Sequence, residues 1–354
     1  MRILLLTRYS QIGSTSRVRA HQYLPYMKSR GIDIIQCPFF GDEYIRRLYT
    51  HKQIGYGSLC FAYFRRLAYL VKSLGVDVVW IEKELFPALP AWGEALIVTC
   101  GVPYVVDYDD ATFHWYDMHR NKVIRHLLCG KVDTVMRRAA LVIVGNDYLA
   151  ARARQAGAKR IEYLPSVVDL ERYNIAINAE NDKKSFTIGW IGSPVTAHYL
   201  ELVNSALIEV CQDSMTRVVI VGAVENPLQD IPVDIRPWSE ETEVASIQSF
   251  DVGIMPLADG PWEQGKCGYK IIQYMACGKP AVASPVGINR QIIEDGINGV
   301  LATTPSEWVS ALRALRDREH LRQHMSRQAR MTVEKRYSLQ VTAPRLVSLL
   351  RSVI

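Results

Sequence analysis

The chain has 354 residues, which is more than one ordinary domain holds, since single hydrophobic cores rarely grow beyond about 250 residues. Its 49% hydrophobic and 22% charged residues are typical of a folded globular protein and exclude a disordered or fibrous one. Uncharged stretches such as residues 53–64 and 95–106 fall short of the roughly 18 apolar residues of a membrane-spanning helix. The apolar run after Met1-Arg2 is too short for a signal peptide.

The net charge of +6 is unevenly distributed. Residues 1–75 carry 12 basic and 3 acidic side chains, which favours an anionic partner for this part of the chain. Membrane headgroups, a polyphosphate and nucleic acid all fit, and so does an ordinary solvated surface.

The seven scattered cysteines form no CxxC pair, which argues against a disulfide framework or a zinc site. We therefore expect a cytoplasmic protein.

The predicted elements alternate β-branched runs with helical patterns, as βαβ units with parallel sheets do. Six strands are predicted in the first half: Arg2–Thr7, Ile32–Pro38, Val76–Ile81, Pro103–Asp107, Leu141–Val144 and Ile161–Leu164. Five are predicted in the second half: Phe186–Ile191, Arg217–Val221, Asp251–Pro256, Pro280–Ser284 and Gly299–Ala302. Between the halves, the polar run 174–184 has no amphipathic period and reads as a linker.

These patterns predict two α/β domains with a cleft between them, where small-molecule sites usually lie. We place the first domain at residues 1–170, the linker at 171–184 and the second domain at 185–335. A long helical stretch covers residues 306–335, and a final helical pattern at 336–354 could pack back on the first domain.

The first strand leads into a loop of small residues that contains Gly13 and Ser14. Ser14, Thr15 or Ser16 could cap the helix that follows, which would leave backbone amides for an anion. A plain helix cap remains the alternative. No GxGxxG motif is present here, which argues against a nicotinamide-dinucleotide site.

Residues 61–72 are predicted to form a basic amphipathic helix. Arg65, Arg66 and Lys72 can share one face, with an apolar stripe of Phe61, Phe64, Leu67 and Val71 toward the other. Such a helix could lie at a membrane interface with its arginines on anionic headgroups, together with Arg46 and Arg47 upstream. The alternative is an ordinary crossover helix whose apolar stripe lies in the core.

Three carboxylates, Asp107, Asp109 and Asp110, follow one another at the end of a predicted buried strand. Strand alternation sends Asp107 and Asp109 to one side and Asp110 to the other. Carboxylates at such a position can act as a general base, hold a metal or accept a sugar hydroxyl. Helix capping by Asp109 or Asp110 is the alternative.

Two further strand–loop–helix patterns lie in the second half. Gly192 and Ser193 follow the strand that opens the domain, and Gly192 permits close approach of a phosphate. At 261–284 a glycine-rich loop is predicted to enter a helix with Lys266 and Lys270 four apart on one face. Lysines near a helix N-terminus oppose its dipole, which a bound phosphate would offset. Gln273 could bond a ribose.

The segment GYKIIQYMACGKPAVASPVGINRQIIEDGINGVL resembles the donor-binding signature of the retaining glycosyltransferases of family 4, and the likeness extends over the chain. It implies the GT-B fold, in which two Rossmann-like domains have parallel sheets that face each other across a cleft. It also implies a nucleotide-sugar donor on the C-terminal domain, a glycan or lipid-linked acceptor on the N-terminal one, and no metal or other cofactor. Nucleic acid is not an expected partner, whereas an anionic membrane surface is.

By this resemblance the donor site comprises Gly13, Ser14, Gly192, Ser193, Lys266, Cys267, Gly268, Tyr269, Lys270 and Gln273. Asp109 stands where the family has a histidine, and with Asp110 it is the candidate catalytic group. The family's pair of donor-loop glutamates is replaced by Gly265 and Gln273, and its Arg and Lys by Ser193 and His198.

The expected activity is transfer of a hexose, with retention, in glycan, polysaccharide or glycolipid assembly. The missing glutamates leave two alternatives open: a nucleotide-sugar-binding protein with little or no turnover, and an epimerase of the nucleotide-sugar.

Overall fold

The computed structural model describes residues 1–49, 55–175, 185–212 and 215–354. Its strands are β1 Arg2–Leu6, β2 Asp33–Gln36, β3 Val78–Glu82, β4 Tyr104–Tyr108, β5 Leu141–Val144, β6 Ile161–Tyr163, β7 Phe186–Ile191, β8 Thr216–Val221, β9 Val233–Arg236, β10 Val252–Met255, β11 Ala281–Ala283 and β12 Gly299–Leu301. The eleven predicted strands are all present. The sequence pattern missed β9 because this edge strand, Val-Asp-Ile-Arg, is largely solvated and carries charges that hide its apolar alternation.

The helices connect these strands. They are α1 Ser14–Arg19, α2 Leu24–Ser29, α3 Asp42–Tyr49, α4 Tyr56–Lys72, α5 Trp92–Thr99, α6 His114–Asp117, α7 Lys122–Leu128, α8 Lys131–Arg138, α9 Asp147–Gln155, α10 Asn204–Val210, α11 Glu243–Gln248, α12 Pro261–Gln264, α13 Tyr269–Ala276, α14 Asn289–Ile292, α15 Pro305–Asp317, α16 Glu319–Arg336 and α17 Leu339–Arg351. Short 3₁₀ helices occupy His21–Tyr23, Ser73–Gly75 and Pro194–Val203. The predicted helical stretch at 306–335 is therefore two helices, divided at Arg318, whose φ of −115° and ψ of 82° are not helical.

The strands form two parallel sheets, each with six strands. The first has the order β2-β1-β3-β4-β5-β6 and the second β12-β11-β10-β7-β8-β9. The chain changes direction across the first sheet between β1 and β3, and across the second between β7 and β10. In open α/β sheets, ligands bind outside the carboxyl ends of the strands at such switch points.

The chain divides into two compact units. Unit 1 comprises Met1–Ser166, Gln264–Cys267 and Thr342–Ile354, and unit 2 comprises Val167–Glu263 and Gly268–Val341. Most of α17 thus belongs with the first sheet, as does a four-residue segment that lies far away in sequence. The central strands of both sheets are fully buried, which explains their uninterrupted apolar runs.

Part of the predicted linker at 171–184 lies outside the described residues, which resume at 185. Residues 171–175 belong to unit 2, where the main-chain carbonyl of Tyr173 accepts a hydrogen bond from Arg330. In the part of the chain that the structure covers, no helix is both long and apolar enough to cross a membrane.

Candidate active site

Charged side chains gather at the carboxyl ends of β3 and β4 in unit 1. Glu82 ends β3 and pairs in register with Asp107 of β4, while Asp109 and Asp110 follow directly after β4. We call Glu82, Asp107, Asp109 and Asp110 the acidic edge. It lies beside the switch point of the first sheet, where a ligand site is expected.

Lys83 is the cation at the centre of the acidic edge. Its Nζ lies 3.1 Å from Asp109 Oδ1 and 3.8 Å from Asp110 Oδ2, and its side chain is only 3% exposed. Burial alone would lower the pKa of this lysine, but the nearby charges of Asp109, Asp110 and Glu82 more than offset it and raise the pKa. The ammonium group is therefore charged throughout the physiological range.

The two remaining carboxylates of the acidic edge are more deeply buried. Arg19 donates to Asp107 Oδ1 through Nε at 3.0 Å and through a terminal nitrogen at 2.7 Å. Glu82 accepts hydrogen bonds from the Arg8 backbone N–H at 2.9 Å and from the Ser16 hydroxyl. Burial raises the pKa of Asp107 to about 6, although the Arg19 charge acts in the opposite direction. These contacts hold the edge rigidly, while Asp109 and Asp110 retain some exposure.

Neither Asp109 nor Asp110 is a helix cap in the structure. The next helix, α6, starts after Phe113 and has no side-chain cap. The pair instead forms ion pairs with lysines, which leaves the functional interpretation of the two carboxylates standing as a prediction.

The segment Gln264–Cys267 packs beside the acidic edge within unit 1. Asn146 Nδ2 donates to the carbonyl of Lys266 at 2.9 Å and to that of Gln264 at 3.3 Å. Gly265 lies so close to Ala111 that an added Cβ would be 2.7 Å from the Ala111 backbone nitrogen. Cys267 is buried, and burial raises the pKa of its thiol well above the usual range.

This placement corrects the expected position of Lys266. The predicted helix with Lys266 and Lys270 on one face is wrong, because Gly268 has a φ of 65° and α13 begins only at Tyr269. Lys266 lies in the preceding segment of unit 1, with Nζ 3.8 Å from Asp110 Oδ1. Lys270 lies in the first turn of α13 in unit 2, and the helix ends before Gly278 as expected.

Lys270 lies at the carboxyl end of β7, beside the switch point of the second sheet. Its Nζ is 5.4 Å from the centre of the Trp190 ring, and an added Cβ at Gly192 would be only 2.6 Å from Lys270 Cε. A side chain at position 192 would therefore displace Lys270 or the Trp190 ring, which an added Cβ would also approach to 2.6 Å. Ser193 follows, and its carbonyl accepts a hydrogen bond from the Thr196 backbone at 2.9 Å. The structure places Gly192 against Lys270, with Ser193 next in the chain, and a role of the three in donor binding stays a prediction.

Gln273 occupies a buried polar network instead of an open surface. Its Nε2 donates to the Tyr173 hydroxyl at 2.9 Å, and its side chain is 3% exposed. The Tyr173 hydroxyl in turn bonds Glu243 and lies 3.3 Å from the Tyr269 hydroxyl. The expectation that Gln273 bonds a ribose stays a prediction. One hydrogen of its amide group is already donated to the Tyr173 hydroxyl.

Gly13 and Ser14 lie at the start of α1 in unit 1. Gly13 precedes the helix and no side chain caps it, so the prediction of a cap by Ser14, Thr15 or Ser16 is wrong. Ser14 is exposed, whereas the Ser16 hydroxyl faces inward and accepts a hydrogen bond from the Tyr9 backbone at 2.9 Å.

Sequence reasoning missed several charged groups of both units. Lys83 and Glu82 were overlooked. They could have been recognised as site residues, because they are charged and directly follow the buried run Val-Val-Trp-Ile. Glu243 was overlooked because nothing local marks it. It accepts hydrogen bonds from Trp238 Nε1 at 2.8 Å and from Arg172 at 3.0 Å, which link it to the loop after β9 and to the start of unit 2.

The two parallel sheets and their strand orders define the GT-B fold, and solved structures agree over the whole chain. The crystal structure of Anabaena HepE in complex with UDP and glucose is 16% identical, with a TM-score of 0.75, and the likeness covers 99% of this chain and 100% of that one. Sucrose-phosphate synthase from Thermosynechococcus elongatus is 13% identical, with a TM-score of 0.72 and coverage of 100% and 99%.

A more specific likeness lies in the second half of the sequence. Residues 185–318 match the family described as Glycosyl transferases group 1. D-inositol 3-phosphate glycosyltransferase from Paenarthrobacter aurescens (strain TC1) is 36% identical over 97 residues, which is 27% of this chain and 22% of that enzyme. The family match covers most of unit 2 and includes both Gly192 and Lys270.

Proposed function

We propose that this protein is a retaining glycosyltransferase that moves a hexose from a nucleotide-diphosphate sugar to an acceptor hydroxyl, in the assembly of a glycan, a polysaccharide or a glycolipid. The observation that supports this most is the position of Lys270. It lies inside the family match and packs on Gly192, at the carboxyl end of a strand next to the switch point of the second sheet. Because HepE was solved in complex with UDP-glucose, this is the first donor to test.

On the donor side, the leaving nucleoside diphosphate gains negative charge as the glycosidic bond breaks. Lys270 and the backbone N–H groups at the start of α13 can stabilise that charge electrostatically, which is usually the largest catalytic term. Lys266 stays a proposed second cation for the donor.

On the acceptor side, the reacting hydroxyl must be oriented and must lose its proton. Asp109 and Asp110 are partly exposed carboxylates that can accept a hydrogen bond from such a hydroxyl. We propose that they do so, and that the reaction needs no metal.

The proposed activity is tested by incubating the purified protein with UDP-glucose and EDTA and measuring UDP release. Release above the rate without protein supports the enzyme, and NMR of the newly formed anomeric centre tests retention. Binding without UDP release, over a broad acceptor set, would instead favour a nucleotide-sugar-binding protein. Isomerisation without an acceptor would favour an epimerase.

We further propose that the protein acts at an anionic membrane surface, through α4 of unit 1. The alternative that the apolar stripe of α4 lies in the core is wrong: Phe61, Phe64 and Val71 are 65%, 71% and 72% exposed. Leu67 and Leu74 extend the stripe. The expected exposed face of arginines is also wrong, because Arg66 is buried and donates to the Thr7 carbonyl.

Arg65 is likewise bound inward, with a terminal nitrogen 2.6 Å from the Pro38 carbonyl oxygen and 3.0 Å from that of Phe39. The helix thus presents apolar side chains outward together with the exposed Lys72, and Arg46 of α3 is also exposed. Inserting one phenylalanine into the acyl boundary contributes about 1.5–3 kcal/mol, and each nearby cation about 1 kcal/mol. The residues Thr50, His51 and Lys52, which follow Arg46 and Arg47 in the basic stretch 1–75, lie outside the described residues.

Sedimentation with vesicles that contain 30 mol% anionic lipid tests this attachment. We expect a Phe61→Ser/Phe64→Ser variant to lose most of its binding, by about tenfold or more. A matched Leu202→Ser/Met331→Ser variant removes two exposed apolar side chains of unit 2 and should bind as the wild type does. Equal binding of both variants would reject α4 as the attachment element. We take the surface to be the cytoplasmic leaflet, in keeping with seven free cysteines.

A further inference from the structure

Lys83 has a backbone conformation that a residue with a side chain rarely adopts. Its φ is 66°, directly after the last residue of β3, and its N–H donates to the Asp107 carbonyl at 3.0 Å. Such a left-handed residue other than glycine is strained and persists only where the surroundings fix it. The strain therefore indicates that the direction of the Lys83 side chain has a role in the protein.

The side chain that this turn directs inward bridges two carboxylates. Its ammonium group contacts Asp109 and Asp110 at 3.1 and 3.8 Å, whereas the other oxygen of Asp110 lies 3.8 Å from Lys266 Nζ. Adjacent carboxylates repel each other, and protonating one of them is the usual outcome without a cation between them. A buried cation on a rigid strand end prevents this and fixes both side chains.

We infer that Lys83 is the positioning residue of the proposed acceptor site: it holds Asp109 and Asp110 ionised and oriented for the acceptor hydroxyl without touching the substrate itself. The inference rests on the proposed function for its catalytic consequence, but the ionisation of the two carboxylates can be measured without turnover.

Other charged groups surround the pair and remain in place when Lys83 is changed. They are Glu82 on β3, Asp107 on β4, Arg19 on α1, Arg8 after β1, and Lys266 and Cys267 of the 264–267 segment. Three of these groups are acidic or can become so. Lys83 Nζ contacts both aspartates, whereas Lys266 Nζ lies 3.8 Å from Asp110.

The test is a titration of aspartate carboxyl carbons by ¹³C NMR in the wild type and in Lys83→Met, with signals assigned through Asp109→Asn and Asp110→Asn. We expect at least one of the two aspartates to titrate about 1–3 pH units higher in Lys83→Met, and close to the wild-type value in Lys83→Arg. Unchanged midpoints in Lys83→Met would overturn the inference. This readout does not depend on whether the protein turns over a sugar.

A matched control separates this effect from a general loss of a buried cation. Lys131 is also a buried lysine of unit 1, and it pairs with Glu84 and the Phe86 carbonyl. Lys131→Met should lower thermal stability but leave the titration midpoints of Asp109 and Asp110 unchanged. If the protein turns over a sugar, the acid limb of its kcat/KM profile should shift to higher pH in Lys83→Met, together with the NMR midpoints. The profile of Lys131→Met should not shift. An equal shift in both variants would also contradict the inference.

Discussion

Removing the Lys270 ammonium group tests the proposed donor site most simply. In the structure Lys270 Nζ lies 5.4 Å from the centre of the Trp190 ring, and the side chain packs against Gly192. The ammonium group is therefore held in place before a ligand binds. The contact with the ring is worth about 0.5–1 kcal/mol, but it exists in the free protein and therefore affects stability more than affinity. The loss of affinity should come from the bond to the diphosphate itself.

A hydrogen bond to a charged group contributes about 1.5–3 kcal/mol, and 1.4 kcal/mol corresponds to a factor of ten. We therefore expect Lys270→Ala to weaken UDP binding by about 10- to 150-fold, measured by calorimetry at fixed ionic strength. Lys279→Ala is the matched control, since it removes the same charge from unit 2 beyond the far end of α13. It should change affinity by less than about twofold, because Lys279 is partly exposed at the opposite end of α13, where salt screens its charge.

Equal UDP affinity of Lys270→Ala and the wild type would refute the assignment of this lysine. Equal losses in Lys270→Ala and Lys279→Ala would refute it as well, since the effect would then reflect the total charge of the unit and not a bond at one site.

Two further predictions concern unit 1. Asp109→Asn or Asp110→Asn should bind UDP normally and lose sugar transfer by about 10²-fold or more, whereas lost thermal stability with full activity per folded molecule would make the pair structural. Gly265→Ala places a carbon 2.7 Å from the Ala111 backbone nitrogen, which cannot give way, and should cost about 1–3 kcal/mol of unfolding free energy by denaturant titration. Gly41→Ala, where an added carbon meets nothing within 4 Å, should be near neutral, and equal stability of the two variants would contradict the close packing of the 264–267 segment.

The sequence was sufficient for the sheets because their central strands are buried on both faces. A continuous apolar run such as Leu141–Val144 identifies a buried strand by itself. The strand β9 could not be recognised, because a solvated edge strand needs no apolar pattern. Helix α4 shows a different limit. Periodicity separated an apolar stripe from a basic one, but it could not tell that Arg66 reaches the Thr7 carbonyl inside the protein while Phe64 faces outward.

The candidate site was only partly predictable for a related reason. Gly192 and Lys270 are recognisable because glycine and lysine stand at strand and helix ends, where phosphate sites form. The position of Lys266 depended on one backbone angle, the φ of 65° at Gly268, which delays the start of α13. The ion pairs of Lys83 depend on which strands are neighbours, and β3 and β4 meet only in the folded sheet.

The central claim, that the protein transfers a sugar from a nucleotide-sugar, is tested most directly by UDP release from UDP-glucose. The wild type and Lys270→Ala would be compared with EDTA present, at UDP-glucose concentrations below the wild-type KM. We predict release by the wild type above the rate without protein, and a rate at least about tenfold lower for Lys270→Ala. If the folded wild type released neither UDP from UDP-glucose nor GDP or dTDP from the GDP- and dTDP-sugars tried beside it, the claim would be contradicted.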